Sequence, residues 1–265
     1  MSINLLLSIS TIIALIPASL SSLRGGAGRD ITYWCLLAVA LAAALMRAFT
    51  ALVPNWSTGF AGALWVTMAA SIAIFILLAA TTRNSWRLTP LLLPYLILLG
   101  IVATIWQQAP EQPLLPAPPV WLDLHILVSI ATYALLTLAA IAGLAVLIQE
   151  RSLKSKRRHM LNQLLPAVAA CEQLQVRLLA ASELVLAFGL ATGMATQYFV
   201  SGAVFRLDHK TLFSILAFTV IGGLLVAEGV SGVGGRRAAR LILLAYLLLT
   251  LAYPGVKFVT DVLLA

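Results

Sequence analysis

Residues 121–150 read WLDLHILVSIATYALLTLAAIAGLAVLIQE, and this stretch decides the fold. No Asp, Glu, Lys or Arg interrupts it between Asp123 and Glu150. A helix needs about 20 apolar residues to cross the hydrocarbon core of a bilayer, so the stretch is long enough to span it. Because lipid offers the backbone no hydrogen-bond partners, such a run must satisfy its own N–H and C=O groups as a helix.

Apolar runs of similar length recur along the whole chain of 265 residues. The mean hydropathy is +1.02 and only 10% of the residues are charged, against about 25% in soluble domains. We therefore predict an all-α, polytopic integral membrane helix bundle that forms one domain over residues 1–265. Eight spans are predicted, the first of them a retained span rather than a cleaved signal. They cover residues 4–21, 31–53, 60–81, 88–107, 122–149, 174–199, 211–229 and 239–263.

Lys and Arg are concentrated in alternate loops between these spans. Twelve follow spans one, three, five and seven, whereas only Arg206 and Lys210 follow spans two, four and six. The positive-inside rule makes the first set cytoplasmic. Both termini and residues 204–210 are then predicted on the outer, periplasmic side, and the net charge of +8 needs no nucleic acid to explain it. The twelve are Arg24, Arg29, Arg83, Arg87, Arg151, Lys154, Lys156, Arg157, Arg158, Arg236, Arg237 and Arg240.

His125 lies near the predicted outer end of span five, within about one helical turn of Trp121 and Asp123. A neutral imidazole in such a position can ligate haem iron when a neighbouring acceptor orients the ring. The alternative is an interfacial histidine beside an aromatic belt. The residues alone leave both interpretations open.

Asp208, His209 and Lys210 begin span seven on the same predicted side. Asp208 suits an N-cap, because its side chain accepts a hydrogen bond from a free N–H group of the first turn. His209 is the second histidine predicted on the outer face, so a two-histidine site with His125 is permitted. Arg47, in the outer half of span two, either snorkels to the interface or pairs with a carboxylate such as a haem propionate.

Two further groups inside the predicted spans need an explanation. Glu183 is predicted near the middle of the bilayer, where an ionisable group marks a functional site by default. An ionisable group at this depth makes a transporter a further alternative function, although the sequence shows no inverted repeat. Cys35 and Cys171 are both expected to be buried and inert. The sequence contains no Gly-rich phosphate loop, metal-spaced Cys/His set or nucleophile triad.

Several segments of the C-terminal half resemble one family. LHILVSIATYALLTLAAIAGLAVLIQERSLKSK, residues 124–156, resembles the LH…S…YA…LA…LI.E..LK.K segment of membrane cytochrome c assembly proteins of the CcsA and HemX type. LATG, DHKTLFSILAF, GGRRAA and LLTLAYPGVKFV follow in the family's order. The segments are most similar to the YpjD-like inner-membrane branch. The resemblance covers residues 121–259, and it implies a multi-pass protein of the bacterial inner membrane that acts in cytochrome c biogenesis.

The family holds haem beneath an outward-facing, tryptophan-rich loop that ends W-x-W-D-P-K, with two outward histidines as iron ligands. Gly202, Phe205, Asp208 and Lys210 resemble the glycine, second-last tryptophan, aspartate and lysine of that loop. His125 resembles the first outward ligand. The resemblance therefore implies haem as the cofactor and His125 as a ligand to its iron.

The chain also departs from the family's pattern. Ser201 and Leu207 stand where tryptophans would be, and His209 stands where proline would be. Leu264 or a neighbour occupies the place of the second outward histidine, and residues 226–230 contain no histidine for the inner position. Aromatic rings contribute much of the apolar contact to a flat macrocycle, so these changes remove part of the haem platform.

The resemblance implies a protein that binds or presents haem at an outward-facing site, without cleaving bonds itself. The expected surroundings are the lipid bilayer, haem and another membrane protein of cytochrome maturation. The alternative is a non-catalytic accessory or scaffold subunit that kept the fold and lost haem binding. The expected haem-binding residues are His125, Phe205, Asp208, His209, Lys210 and Arg47, with His125 as the metal ligand.

Overall fold

The computed structural model describes residues 3–24, 28–52, 59–107, 119–155, 160–202, 208–232 and 234–259, and every regular element in these ranges is helical. Eight helices within them are long and apolar enough to cross a membrane. The prediction of an all-α, polytopic membrane bundle is confirmed. The elements are α1 (Ile3–Ser22), α2 (Ile31–Leu52), α3 (Phe60–Thr81), a 3₁₀ turn (Ser85–Leu88), α4 (Thr89–Ile105), α5 (Pro119–Ser155), α6 (Met160–Leu164), α7 (Val168–Ser201), α8 (His209–Ser231), α9 (Gly235–Thr250), a π turn (Leu251–Gly255) and α10 (Val256–Phe258).

The helices follow the predicted spans, but α5 and α7 are longer than their apolar parts. In α5 the helix continues past Glu150 to Ser155, because charged residues with good helix propensity extend it. The last span is interrupted at Pro254, which lies in the π turn. Proline has no N–H to give to the preceding turn, and a single π turn accommodates that loss without ending the helix.

Helix α5 is the centre of the bundle. It packs along α7 and also contacts α3 and α9, and most of its apolar part is buried, whereas α8 is largely exposed. Small residues permit these close contacts: a Cβ on Gly143 would lie 3.6 Å from the Cα of Ala239 on α9. Helices α1 to α4 form a neighbouring group, which joins α5 through α3 and α4.

Three tyrosine hydroxyls connect the two helix groups inside the bundle. Tyr246 of α9 donates to the hydroxyl of Tyr133 on α5 at 3.2 Å, and it also shares a hydrogen bond with the hydroxyl of Tyr95 on α4. The Tyr133 hydroxyl lies 3.1 Å from Thr250 Oγ1. Buried hydroxyl groups are costly without partners, so this chain of hydrogen bonds fixes α4, α5 and α9 relative to one another.

Helix α2 has two distinct faces that its hydropathy does not reveal. Arg47 is 5% exposed and lies inside the bundle. Cys35 is exposed, so the prediction that it is buried was wrong, whereas Cys171 of α7 is buried as predicted. The residues of α2 are mostly apolar on every side of the helix, so the sequence has no periodic pattern that indicates which side lies inside the bundle.

The two ends of the bundle differ in charge. One end contains the C-terminal ends of α1, α3 and α5 and the N-terminal end of α9, and we call it the basic end. A salt bridge of 2.8 Å between Arg236 Nε and Glu150 Oε2 joins two of these elements. Lys210, at the start of α8, lies at the opposite end. The described Lys and Arg residues of the basic end are Arg24, Arg29, Arg83, Arg87, Arg151, Lys154, Arg177, Arg236, Arg237 and Arg240.

Candidate functional site

His125 lies in the second turn of α5 and faces α7. Its Nδ1 atom is 3.1 Å from the carbonyl oxygen of Gly189 and 3.2 Å from Thr192 Oγ1. A carbonyl oxygen can only accept a hydrogen bond, so Nδ1 carries the proton. The lone pair of the neutral ring is then on Nε2, the nitrogen available to ligate a metal.

A glycine on α7 allows the helix to come this close to the imidazole ring. A Cβ on Gly193 would lie only 3.0 Å from His125 Cε1. Thr192 is fixed in turn, because its hydroxyl donates to the carbonyl oxygen of Phe188 at 2.9 Å and so presents its oxygen to the ring. Residues 189–193 of α7, which comprise Gly189 and the LATG segment, are therefore the part of the chain that orients His125.

His125 borders two adjoining cavities between α5, α7 and α8, one of which extends to α9 and the π turn. The tyrosine cavity, of about 140 Å³, is lined by His125 together with Tyr133 and Tyr253. The Asp208 cavity, of about 310 Å³, is lined by His125 together with Met194 and Asp208. The residues that line both are His125, Gly189, Leu190, Lys210 and Ser214.

Asp208 is the N-cap of α8, as predicted. Its Oδ1 atom accepts a hydrogen bond of 2.8 Å from the backbone N–H of Thr211. The cap starts α8 beside the cavities, which brings Lys210 and Asp208 to the same site as His125. The basic ammonium group and the imidazole thus border one space, although 85 positions separate them in the sequence.

The other predicted site residues lie elsewhere. His209 is exposed and is absent from the lining of both cavities. Phe205 lies outside the described residues. Gly202 ends α7 in the left-handed conformation, with φ of +70°, and its N–H donates to the carbonyl oxygen of Tyr198 at 2.9 Å. This is the helix-terminating geometry that glycine adopts without steric cost.

Arg47 is separated from His125 and lies between α1, α2 and α3. Its Nε atom donates to Ser8 Oγ at 2.9 Å, and Nη1 donates to Thr50 Oγ1 at 3.4 Å. The guanidinium carbon also lies 5.4 Å from the ring centroid of Trp65. These contacts hold the cation within the N-terminal helix group, and Arg47 is absent from the lining of both His125 cavities.

Glu183 lies on α7 and faces α8. A Cβ on Gly222 would be 3.0 Å from Glu183 Oε1, so the glycine makes room for the carboxyl group. Its Oε2 atom is buried without a hydrogen-bond partner among the described residues. The carboxyl group does not line the cavities beside His125.

Aromatic residues that the sequence analysis did not select lie at the same end as His125. Trp121 stacks on Phe199, with ring centroids 6.3 Å apart and an interplanar angle of 28°. Tyr198 contacts Phe199 edge-on at 6.0 Å, and all three rings are exposed. We call these three residues the aromatic edge. The sequence shows two adjacent aromatic residues, Tyr198 and Phe199, at the end of span six. Only the packing of α5 on α7 brings them to Trp121.

One known protein family matches most of the chain. The model of a family described as "Cytochrome C assembly protein" matches residues 30–264. The chain belongs to the cytochrome c assembly protein family. The match starts well before residue 121, so it includes α2 with Arg47 as well as the His125 site. The YpjD-like branch within the family stays a prediction.

A relative of this cytochrome c assembly protein has a similar length. It is a protein of Azospirillum brasilense with the name "Uncharacterized 28.8 kDa protein in nifR3-like 5'region", 53% identical over 270 residues that cover both chains fully. Family membership and the eight apolar helices together identify a multi-pass membrane protein and support a role in cytochrome c biogenesis.

Proposed function

We propose that this cytochrome c assembly protein binds haem beside His125 and presents it at the outer face of the bacterial inner membrane. The main support for the proposal is the hydrogen bond from His125 Nδ1 to the Gly189 carbonyl oxygen, because it leaves the lone pair of Nε2 available to ligate iron. Haem is the cargo of this site, and the chain's own part is to bind and orient it.

The residues around His125 fit such a cargo. The ammonium group of Lys210 can form an ion pair with a haem propionate, and the side chains of Leu190 and Tyr253 form apolar parts of the cavity wall. No group of three or more His, Cys, Asp or Glu side chains in the described ranges could hold a bare metal ion. Haem iron does not need such a group, because the porphyrin fills its equatorial positions and the protein supplies only axial ligands.

The aromatic edge supports the same function. Ser201 and Leu207 replace tryptophans of the family's loop, which reduces the aromatic surface there. Trp121 and Phe199 form a stacked pair at the same end of the bundle. We propose that this pair, with Phe205 of the loop, supplies part of the apolar contact that the missing rings would have given.

Charge distribution supports the outward orientation. The cavities beside His125 lie at the end opposite to the basic end, which carries most of the described Lys and Arg residues. Cytoplasmic loops of membrane proteins are enriched in these residues. The haem site is therefore proposed to open toward the periplasm.

Titration with haemin tests the proposal. We expect the purified protein to give a saturable Soret shift, and His125→Ala to weaken binding at least about tenfold because the iron loses its ligand. His209→Ala is the matched control and is expected to titrate like the unmodified protein, since His209 is exposed and outside the cavities. Unchanged binding in His125→Ala would reject His125 as the ligand.

An accessory or scaffold subunit without haem is the second candidate. Ser201 and Leu207 in place of two loop tryptophans, and the large exposed surface of α8, favour it. Under this function the protein shows no saturable haemin binding, and a membrane partner co-purifies with it in mild detergent. Replacing α8 surface residues such as Leu216 and Val226 by alanine would then release the partner.

A further inference from the structure

We infer that the basic end of the bundle binds the phosphate head group of an anionic phospholipid in a cavity beside Arg24 and Arg87. The cavity measures about 440 Å³. It lies between the C-terminal end of α1, the N-terminal ends of α2 and α4, and the short helix α6. Its lining shares no residue with the cavities beside His125, so the inference does not depend on haem binding.

The position of the cavity matches the level of lipid head groups. Helix α1 ends at Ser22 and α2 begins at Ile31, so the cavity lies where two spanning helices leave the apolar layer. Arg24 lies two residues beyond the end of α1, at the level where this helix leaves the apolar layer. One side of α1 below this level is a continuous exposed apolar stripe, formed by Leu6, Ile9, Ile13, Ile16 and Leu20.

The stripe favours a lipid over a soluble anion. Its members are spaced by three and four residues, so they form one line along the helix that ends at Leu20, in the last turn of α1 before Arg24. An acyl chain lying along this line has its phosphate at the level of the arginines. A free phosphate would make no use of the stripe.

The charge of the cavity suits a phosphate. Arg24 and Arg87 are both exposed on its wall, and the planar guanidinium group can bind phosphate oxygens with two parallel hydrogen bonds. Asp30 is the acidic residue of the lining, and its Oδ1 atom accepts a hydrogen bond of 2.9 Å from the N–H of Tyr33. This contact caps α2, and with two arginines against one carboxylate the lining keeps a net positive charge.

An interfacial aromatic residue holds one of the two arginines in place. The guanidinium carbon of Arg87 lies 5.6 Å from the ring centroid of Trp86, which also lines the cavity. Cation–π contact restricts the arginine side chain, and tryptophan is enriched at the level of lipid head groups. Basic pockets between membrane helices on the cytoplasmic side are known to bind anionic head groups.

Native mass spectrometry of the full-length protein in detergent tests this inference. Phosphatidylglycerol and phosphatidylcholine are titrated separately against the unmodified protein and two double variants. Arg24→Gln with Arg87→Gln removes both charges of the cavity. Arg151→Gln with Arg240→Gln is the matched control, since it removes two exposed charges of the basic end that line no part of this cavity.

We expect the unmodified protein to bind one phosphatidylglycerol with higher affinity than phosphatidylcholine. The affinity for phosphatidylglycerol should fall about tenfold in the cavity variant and stay unchanged in the control variant. Equal weakening in both double variants, or equal binding of both lipids, would overturn the inference in favour of general surface charge. Displacement of the lipid by inorganic phosphate would instead indicate a soluble anion. Arg87→Gln alone, with a monodisperse gel-filtration profile, gives the same test if the double variant does not fold.

Discussion

His125 Nδ1 on α5 lies 3.1 Å from the carbonyl oxygen of Gly189 on α7. This contact selects the tautomer of the imidazole, and Thr192 provides a second oxygen at 3.2 Å on the same side of the ring. Mutation of residues that orient a metal-ligating histidine typically lowers metal affinity about 10–100-fold. Helix α7 is thus part of the proposed haem site, although its own side chains need not touch the iron.

Gly193→Ala tests the role of α7 in orienting the imidazole. The added Cβ would lie 3.0 Å from His125 Cε1, so the ring must shift, and we expect weaker haemin binding. Alanine in a helix interior is about 1 kcal/mol more favourable than glycine, so lost helix propensity would not explain the effect. Gly223→Ala is the control, because its Cβ would meet no atom within 4 Å. Haemin titration with equal affinity in both variants would contradict the packing described here.

Tyr246→Phe tests the hydrogen-bond chain between the helix groups. The variant removes the hydroxyl that bonds both Tyr95 and Tyr133. We expect the free energy of unfolding to fall by about 0.5–2 kcal/mol, the usual range for a hydrogen bond between membrane helices. Thermal or denaturant unfolding in detergent measures this change. Tyr198→Phe, at an exposed position, should leave the transition in place, and equal stability of the two variants would contradict the account.

Arg47→Lys separates a structural role of Arg47 from a haem contact. Lysine keeps the charge but loses the planar group that contacts Ser8 and Trp65. We expect a lower melting temperature with unchanged haemin affinity, because Arg47 is absent from the lining of the His125 cavities. Weakened haemin binding at full thermal stability would assign Arg47 to the haem site instead.

Cysteine labelling of intact cells tests the proposed orientation. In a background with Cys35 and Cys171 replaced by alanine, we expect Ser201→Cys to react with a membrane-impermeant maleimide from outside. Arg151→Cys, at the basic end, is expected to react only after the cells are permeabilised. Both positions are exposed, so accessibility within the fold does not bias the comparison. The reverse pattern would place the His125 cavities in the cytoplasm.

The fold was predictable because lipid imposes a strong local rule on the backbone. Each span must satisfy its own hydrogen bonds, so apolar run length alone located the eight helices. The N-cap at Asp208 was also predictable from local sequence, because the capping hydrogen bond joins residues only three positions apart. Apolar run length could not show that α5 and α7 extend past their apolar parts, because helix ends outside lipid are not bounded by hydropathy.

The contacts that build the site could not be predicted, because they join residues far apart in the chain. His125 and Gly189 are 64 positions apart, and the aromatic edge unites Trp121 with Phe199. The LATG segment is part of the family resemblance, but the role of residues 189–193 in orienting His125 follows only from the packing of α7 on α5. Arg47 was ambiguous because an apolar helix gives no periodic signal for which face lies inside the bundle.

The absorbance spectrum of the protein purified from a haem-replete host is the most direct test of haem ligation by His125. We predict a Soret band in the unmodified protein, its loss in His125→Gly, and its partial return when free imidazole is added to that variant. Recovery by imidazole would show that the missing group is a ligand and not a packing element. A Soret band that is identical in His125→Gly without imidazole would contradict the account.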